Sequence, residues 1–94
     1  MKIRGLIWLD DIVEKLHWKH EVLPEEIREL FNNRPKFRFV EKGHRPDEDV
    51  YFAMGQSENG RYLIVFFVYT RDKHALILSA RKMVRRERRQ YERK

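Results

Sequence analysis

The sequence contains no cysteine. A disulfide framework, a cysteine nucleophile and a thiolate metal site are therefore excluded, and the chain fits a reducing cytosol. Glycine is scarce and scattered, with 4 in 94 residues, and no Gly-rich phosphate-binding loop occurs. A Ser-elbow and an HExxH helix are also missing. The longest apolar run, YLIVFFVY at 62–69, is far too short to cross a bilayer as a helix. The first residues lack the basic and apolar regions of a signal peptide. Most enzyme classes have no footing in such a chain, and nothing in it asks for a cofactor or a metal. The expectation is a soluble, cytoplasmic protein without a membrane segment.

Charge, by contrast, is plentiful and unevenly placed. The chain carries 21 Lys and Arg against 15 Asp and Glu, a net charge of +6. Residues 81–94 hold eight basic and two acidic side chains, so this last segment carries all of the net charge. A field of one sign concerns partners rather than fold. With 94 residues and 41% hydrophobic content, one domain over residues 1–94 with a compact core is expected.

Hydrophobic periodicity predicts β-α-α followed by an antiparallel meander and a C-terminal helix. Residues 3–9, IRGLIWL, read as a short strand. Asp10 or Asp11 suits the N-cap of a helix to about residue 20, with Ile12, Val13 and Leu16 facing inward. Pro24 suits the first turn of a second helix, with Glu25 and Glu26 near its positive end. Ile27, Leu30 and Phe31 form its inner face, and Asn32-Asn33 before Arg34-Pro35 ends it. KFRFVEK at 36–42 alternates in the manner of a strand with one wet face. Further strands are predicted at 49–55, 61–70 and 75–78. The run at 61–70 is continuously apolar, so that strand should be central and covered on both faces. Ser79 is then the expected cap of the last helix. On its wheel Ala80, Met83, Val84, Glu87 and Tyr91 share one side, and the arginines spread over the other. The fold class is α+β.

The basic helix has a plain reading as a solvated face. Its glutamates are too few to pair with its arginines, however, and arginine outnumbers lysine six to two in 81–94. The guanidinium fork matches phosphate or carboxylate bidentately, which points to a polyanion or an acidic partner. Glu87 sits in the apolar stripe of the predicted helix, so it needs a partner. A structural ion pair with a sheet arginine such as Arg61 and a functional carboxylate beside a tyrosine are both open. Four histidines, His17, His20, His44 and His74, give no pair with metal-ligand spacing backed by carboxylates. His74 reads as a turn residue. His20 lies near a helix C-terminus, where it either caps the helix or serves a site. Phe37/Arg38/Phe39 and Trp18/Lys19 place aromatics beside cations, an arrangement that stacks on bases when exposed and is plain core when not.

The string ALILSARKMVRRERRQY resembles the C-terminal signature of the BrnT family of toxins, in which a strand runs into Ser-Ala-Arg-Lys and then a helix bearing Glu-Arg-Arg-x-Tyr. EDVYFAMGQSENGRYLIVFFVYT is similar to the two central strands of that family, and LHWKHEVLPEEIRELF to its Lys-His segment and acidic second helix. Two positions depart from the pattern. Glu21 replaces the usual Gly after Lys-His, and the usual Trp-Asp-x-x-Lys appears only as Trp8-Leu9-Asp10 with Lys15 further on.

The resemblance implies a RelE/ParE-like fold and a type II toxin with ribonuclease activity. It implies as partners an RNA substrate, free or on the ribosome, and an antitoxin related to BrnA. Such an antitoxin carries a ribbon-helix-helix segment, through which the complex would reach operator DNA. Metal-free RNA cleavage must deprotonate the 2′-OH, stabilise the phosphorane and protonate the leaving 5′-oxygen. On resemblance and chemistry together, Arg81 and Arg61 are the expected phosphate contacts. Glu87 or His20 is the base, and Tyr91 or Lys19 the proton donor or positioner. Lys82, Arg85, Arg86, Arg88 and Arg89 are expected to hold RNA or acidic residues of the antitoxin. A non-enzymatic toxin of the same fold that inhibits a protein such as gyrase, and a nontoxic antitoxin-binding relic, are the alternatives.

Overall fold

A computed structural model describes residues 1–93. The elements run β1 (Gly5–Ile7), α1 (Asp10–His20), α2 (Pro24–Asn32), β2 (Lys36–Glu41), β3 (Asp49–Gln56), β4 (Tyr62–Tyr69), β5 (His74–Lys82) and α3 (Arg85–Glu92). The five strands form one sheet in the order β1-β5-β4-β3-β2. Strands β2 to β5 make the expected antiparallel meander, and β4 is at its centre. Strand β1 joins the far edge parallel to β5, pairing Gly5 with His74 and Ile7 with Leu76. The sheet is therefore mixed, and the chain is α+β.

Successive side chains of a strand face opposite ways. Leu63, Val65 and Phe67 of β4 face the helices, where Ala53, Ala75, Ile77 and Ala80 join Leu16, Val22, Ile27 and Leu30 in a closed cluster. Phe31 and Phe37 meet the Phe67 ring edge-on at 5.5 and 6.0 Å. Tyr62, Ile64, Phe66 and Val68 face the other way. On that second face α3 lies across one end of the sheet. The Tyr91 ring packs on Tyr62 at 6.0 Å, and the Tyr91 carbonyl accepts a hydrogen bond from Lys36 Nζ. Beneath this crossing Met54 and Ile64 are only 1% exposed. Beyond it Phe52, Phe66, Val50 and Val68 stay half-buried, so the expected cover on both faces of β4 is met only in part.

Several predicted boundaries move. The first strand shrinks to three residues. Leu9, and neither aspartate, is the N-cap of α1; Asp10 and Asp11 sit in the first turn, where carboxylates also favour the positive helix end. His74 opens β5 instead of lying in the turn. The largest change is at Ser79. No helix starts there, because β5 continues to Lys82 and pairs Ala80 with Val65, Arg81 with Ile64 and Lys82 with Leu63. A helix from residue 80 would leave that end of β4 without a ladder partner on this side, and buried backbone groups must be paired. Ala80 is thus a sheet residue with 0% exposure, and α3 begins only after Val84. The predicted stripe through Ala80, Glu87 and Tyr91 does not exist.

Candidate functional site

Helices α2 and α3 begin alike. Each has an aliphatic N-cap, which has no side-chain oxygen to offer the first turn. In each, the glutamate at N3 reaches back to the N-cap N–H: Glu26 to Leu23 at 3.2 Å and Glu87 to Val84 at 2.9 Å. Each glutamate also binds an arginine at the same end of the central strands. Arg61 Nη1 donates to both Glu26 oxygens at 2.7 and 2.8 Å. Arg81 donates through Nη1 and Nη2 to the two Glu87 oxygens at 2.7 and 2.8 Å. Glu87 thus has a sheet arginine as its partner, as one of its two readings required, but the arginine is Arg81; Arg61 serves Glu26. The Arg81 fork and, less strongly, the Val84 N–H hold the Glu87 carboxyl below the usual carboxylate range despite partial burial. Glu87 in turn raises the affinity of Arg81 for its proton.

The end of α1 is set by Glu21, which adopts φ 54° and ψ 39°. This left-handed turn lets the Glu21 N–H reach the His17 carbonyl at 3.1 Å and the Val22 N–H the Leu16 carbonyl at 3.0 Å. Its carbonyl accepts from Arg61 Nη1 at 3.0 Å, which ties the turn to the sheet. The turn brings the last residues of α1 up to the end of β5. Strand β1 pairs only with residues 74–76 of β5, so among the described residues no strand lies beside the outer edge of β5 near Lys82. Lys19, His20, Glu21, Arg81 and Lys82 line a cleft of about 410 Å³ there. A second hollow, lined by Arg61, Tyr62, Lys82, Met83 and Arg88, adjoins it through Lys82.

Four of the expected site residues, Lys19, His20, Arg81 and Lys82, therefore come together. Arg61 lies one wall away and is committed to Glu26 and Glu21. Glu87 lies behind Arg81 with its oxygens occupied. Tyr91 does not line the cleft; it packs on Tyr62, with Lys36 Nζ 5.3 Å from its ring centroid. Arg88 stacks its guanidinium 3.9 Å from the Tyr62 ring centroid and pairs with Glu92 at 3.7 Å. Arg85, Arg86 and Arg89 are exposed. Among the described residues no carboxylate is within ion-pair distance of these three. Of the aromatics set beside cations, Phe37 is core, whereas Phe39 is 55% and Trp18 75% exposed.

Arg81 is the versatile group of the cleft. Two of its N–H bonds go to Glu87 and one to the Lys82 carbonyl at 3.2 Å. A guanidinium has five donors, so two remain for an anion. With Lys19, Lys82 and a half-buried imidazole alongside, the cleft offers cations for an oxyanion and a ring nitrogen able to take or give a proton. Glu26, Lys36 and Tyr62, which hold this arrangement, were not singled out from the sequence. Only Glu26 had a local signal, its N3 position after Leu23-Pro24.

The family model described as ribonuclease toxin, BrnT, of type II toxin-antitoxin system matches residues 9–87. The chain belongs to the BrnT family. The match contains every residue that lines the cleft and stops before Arg88 and Tyr91. No curated protein matches the chain. BrnT proteins are ribonuclease toxins, and a type II system implies an antitoxin as the partner.

Proposed function

We propose that this protein is a metal-independent endoribonuclease that cleaves messenger RNA in the cytoplasm and is neutralised by its antitoxin. The observation that carries the reading is the meeting of Lys19, His20, Arg81 and Lys82 in one cleft, inside the segment matched by the ribonuclease family.

The roles follow from what each group has free. His20 takes the proton from the 2′-OH, since Glu87 has both oxygens engaged and so makes a poor base. The spare Arg81 donors and Lys82 stabilise the phosphorane. Lys19 positions or protonates the leaving oxygen. Arg61 and Tyr91 act as positioning residues, through Glu21 and α3 respectively. Arg85, Arg86 and Arg89 hold the flanking RNA. The RelE/ParE kinship, a BrnA-like ribbon-helix-helix antitoxin and operator binding by the complex belong to the same reading.

Purified protein incubated with labelled RNA in EDTA, with and without ribosomes, tests it. Fragments should form and should fall by two or more orders of magnitude in His20→Ala and Arg81→Ala. Growth arrest with intact RNA would instead assign the protein a protein target.

A further inference from the structure

The second face of the sheet is built of cross-strand rows. One row, Lys36–Met54–Ile64–Arg81, lies under α3 and is closed. The next two are Arg38–Phe52–Phe66–Ser79 and Glu41–Val50–Val68–Leu76, and among the described residues no helix covers them. Phe52 and Phe66 meet edge-on at 5.9 Å and remain half-buried. These are mid-strand positions of central strands, where apolar side chains are ordinarily covered. A contiguous apolar patch rimmed by polar groups marks an interaction site.

The rim identifies the occupant. Arg38 is exposed at one end of the row. Arg81 places its guanidinium 5.9 Å from the Phe66 ring centroid at the other. The α3 arginines, with no carboxylate partner for Arg85, Arg86 or Arg89 among the described residues, form the wall. Glu41 is the one carboxylate in the two open rows. A second copy would bring the same cationic helix against this wall. RNA bases stack on exposed ring faces, whereas Phe52 and Phe66 are half-buried, meet edge-on and lie beside the aliphatic Val50 and Val68. We propose that this open half-face docks an acidic amphipathic segment of the antitoxin. Its apolar side lies on Phe52, Phe66 and Val68, and its carboxylates face Arg38, Arg81 and α3. The inference rests on the type II toxin reading above. Because Arg81 borders both the patch and the cleft, a segment seated here would engage the spare Arg81 donors and remove them from an RNA phosphate.

The test is titration of the purified full chain with the antitoxin encoded beside it, comparing wild type, Phe52→Ser/Phe66→Ser and Arg38→Glu. Both variants should bind about tenfold or more weakly, and RNA cleavage by each should remain at the wild-type rate. Arg38 is exposed, so its variant reads the surface even where the double variant unfolds. Unchanged affinity in Arg38→Glu and in a folded double variant would overturn the proposal. So would a wild-type dimer, seen by sedimentation without antitoxin, that either variant dissolves, because the face would then be a self-interface. Absence of RNA cleavage by wild type would count against the ribonuclease reading alone, because the binding arm is read without it.

Discussion

Arg81, at the end of a strand, and Glu87, in the first turn of the helix that follows, clasp each other through two parallel bonds of 2.7 and 2.8 Å. The same carboxylate caps the helix through the Val84 N–H. One side chain thus starts α3 and orients the arginine that faces the cleft. Glu87→Ala removes both functions and should lower stability by about 1–2 kcal/mol, measured by chemical denaturation. Glu87→Gln keeps the shape and one cap acceptor. It should retain most RNA cleavage, whereas a catalytic base would not tolerate the change.

The depressed titration of Glu87 makes a pH prediction with a definite sign. Its carboxyl binds protons less readily folded than unfolded. The stability it contributes is complete above the ordinary carboxylate value of about 4.3 and is lost as pH falls through its lower folded value. Thermal melts of wild type and Glu87→Gln should therefore differ most near neutral pH and converge in acid. Curves that stay parallel below pH 4 would remove the assignment.

Arg61 and Glu26 form the more buried pair, with side chains 25% and 9% exposed. Arg61→Ala strands a carboxylate in the interior and should cost about 2–3 kcal/mol. The paired change Glu26→Gln/Arg61→Met should recover much of that loss. A double-mutant cycle by urea unfolding measures the coupling.

Glu21 occupies a left-handed conformation at φ 54°, which glycine adopts without cost. Glu21→Gly should stabilise the protein by about 0.5–1 kcal/mol and leave the backbone acceptor for Arg61 in place. Glu21 thus holds the left-handed turn after Lys19-His20 without a glycine.

RNA binding should weaken steeply with salt. Replacing Arg85, Arg86 and Arg89 together by alanine should reduce the slope of log affinity against log salt by about 2, at roughly 0.7 per phosphate contact. Equal slopes for wild type and variant, in a filter-binding series, would take the α3 face out of the RNA path.

Much of this was legible in the sequence. Period-two alternation located β2, apolar segments between turns located β3, β4 and the first part of β5, the unbroken apolar run of β4 marked the sheet's centre, and Leu16, Ile27 and Leu30 were rightly turned inward. The reading failed at Ser79-Ala80, where a good cap and good helix formers argued for a helix. The unpaired end of β4 outweighed that local preference. The same error put Glu87 in an apolar stripe, and so pointed it at Arg61 when its true partner was six residues back. The cleft was named in parts. Lys19, His20, Arg81 and Lys82 were each chosen, but only the left-handed turn at Glu21 and the short β1 bring them to one place.

The register of β5 shifts between the partners of Phe66 and Phe67, leaving Leu78 without an opposite residue. That single insertion sets the parity of everything after it. Were Leu78 paired with Phe66 in a regular ladder, Ala80 would face the open side and Arg81 the helices, with Lys82 exchanged as well. The bulge is thus a phase marker: whether Leu78 is skipped or paired decides which cation looks toward the α3 side of the sheet and which toward α1. Deleting Leu78 should close the bulge and keep Ser79 to Lys82 on their present faces, whereas adding one residue between Ser79 and Ala80 should exchange the faces of Ala80, Arg81 and Lys82.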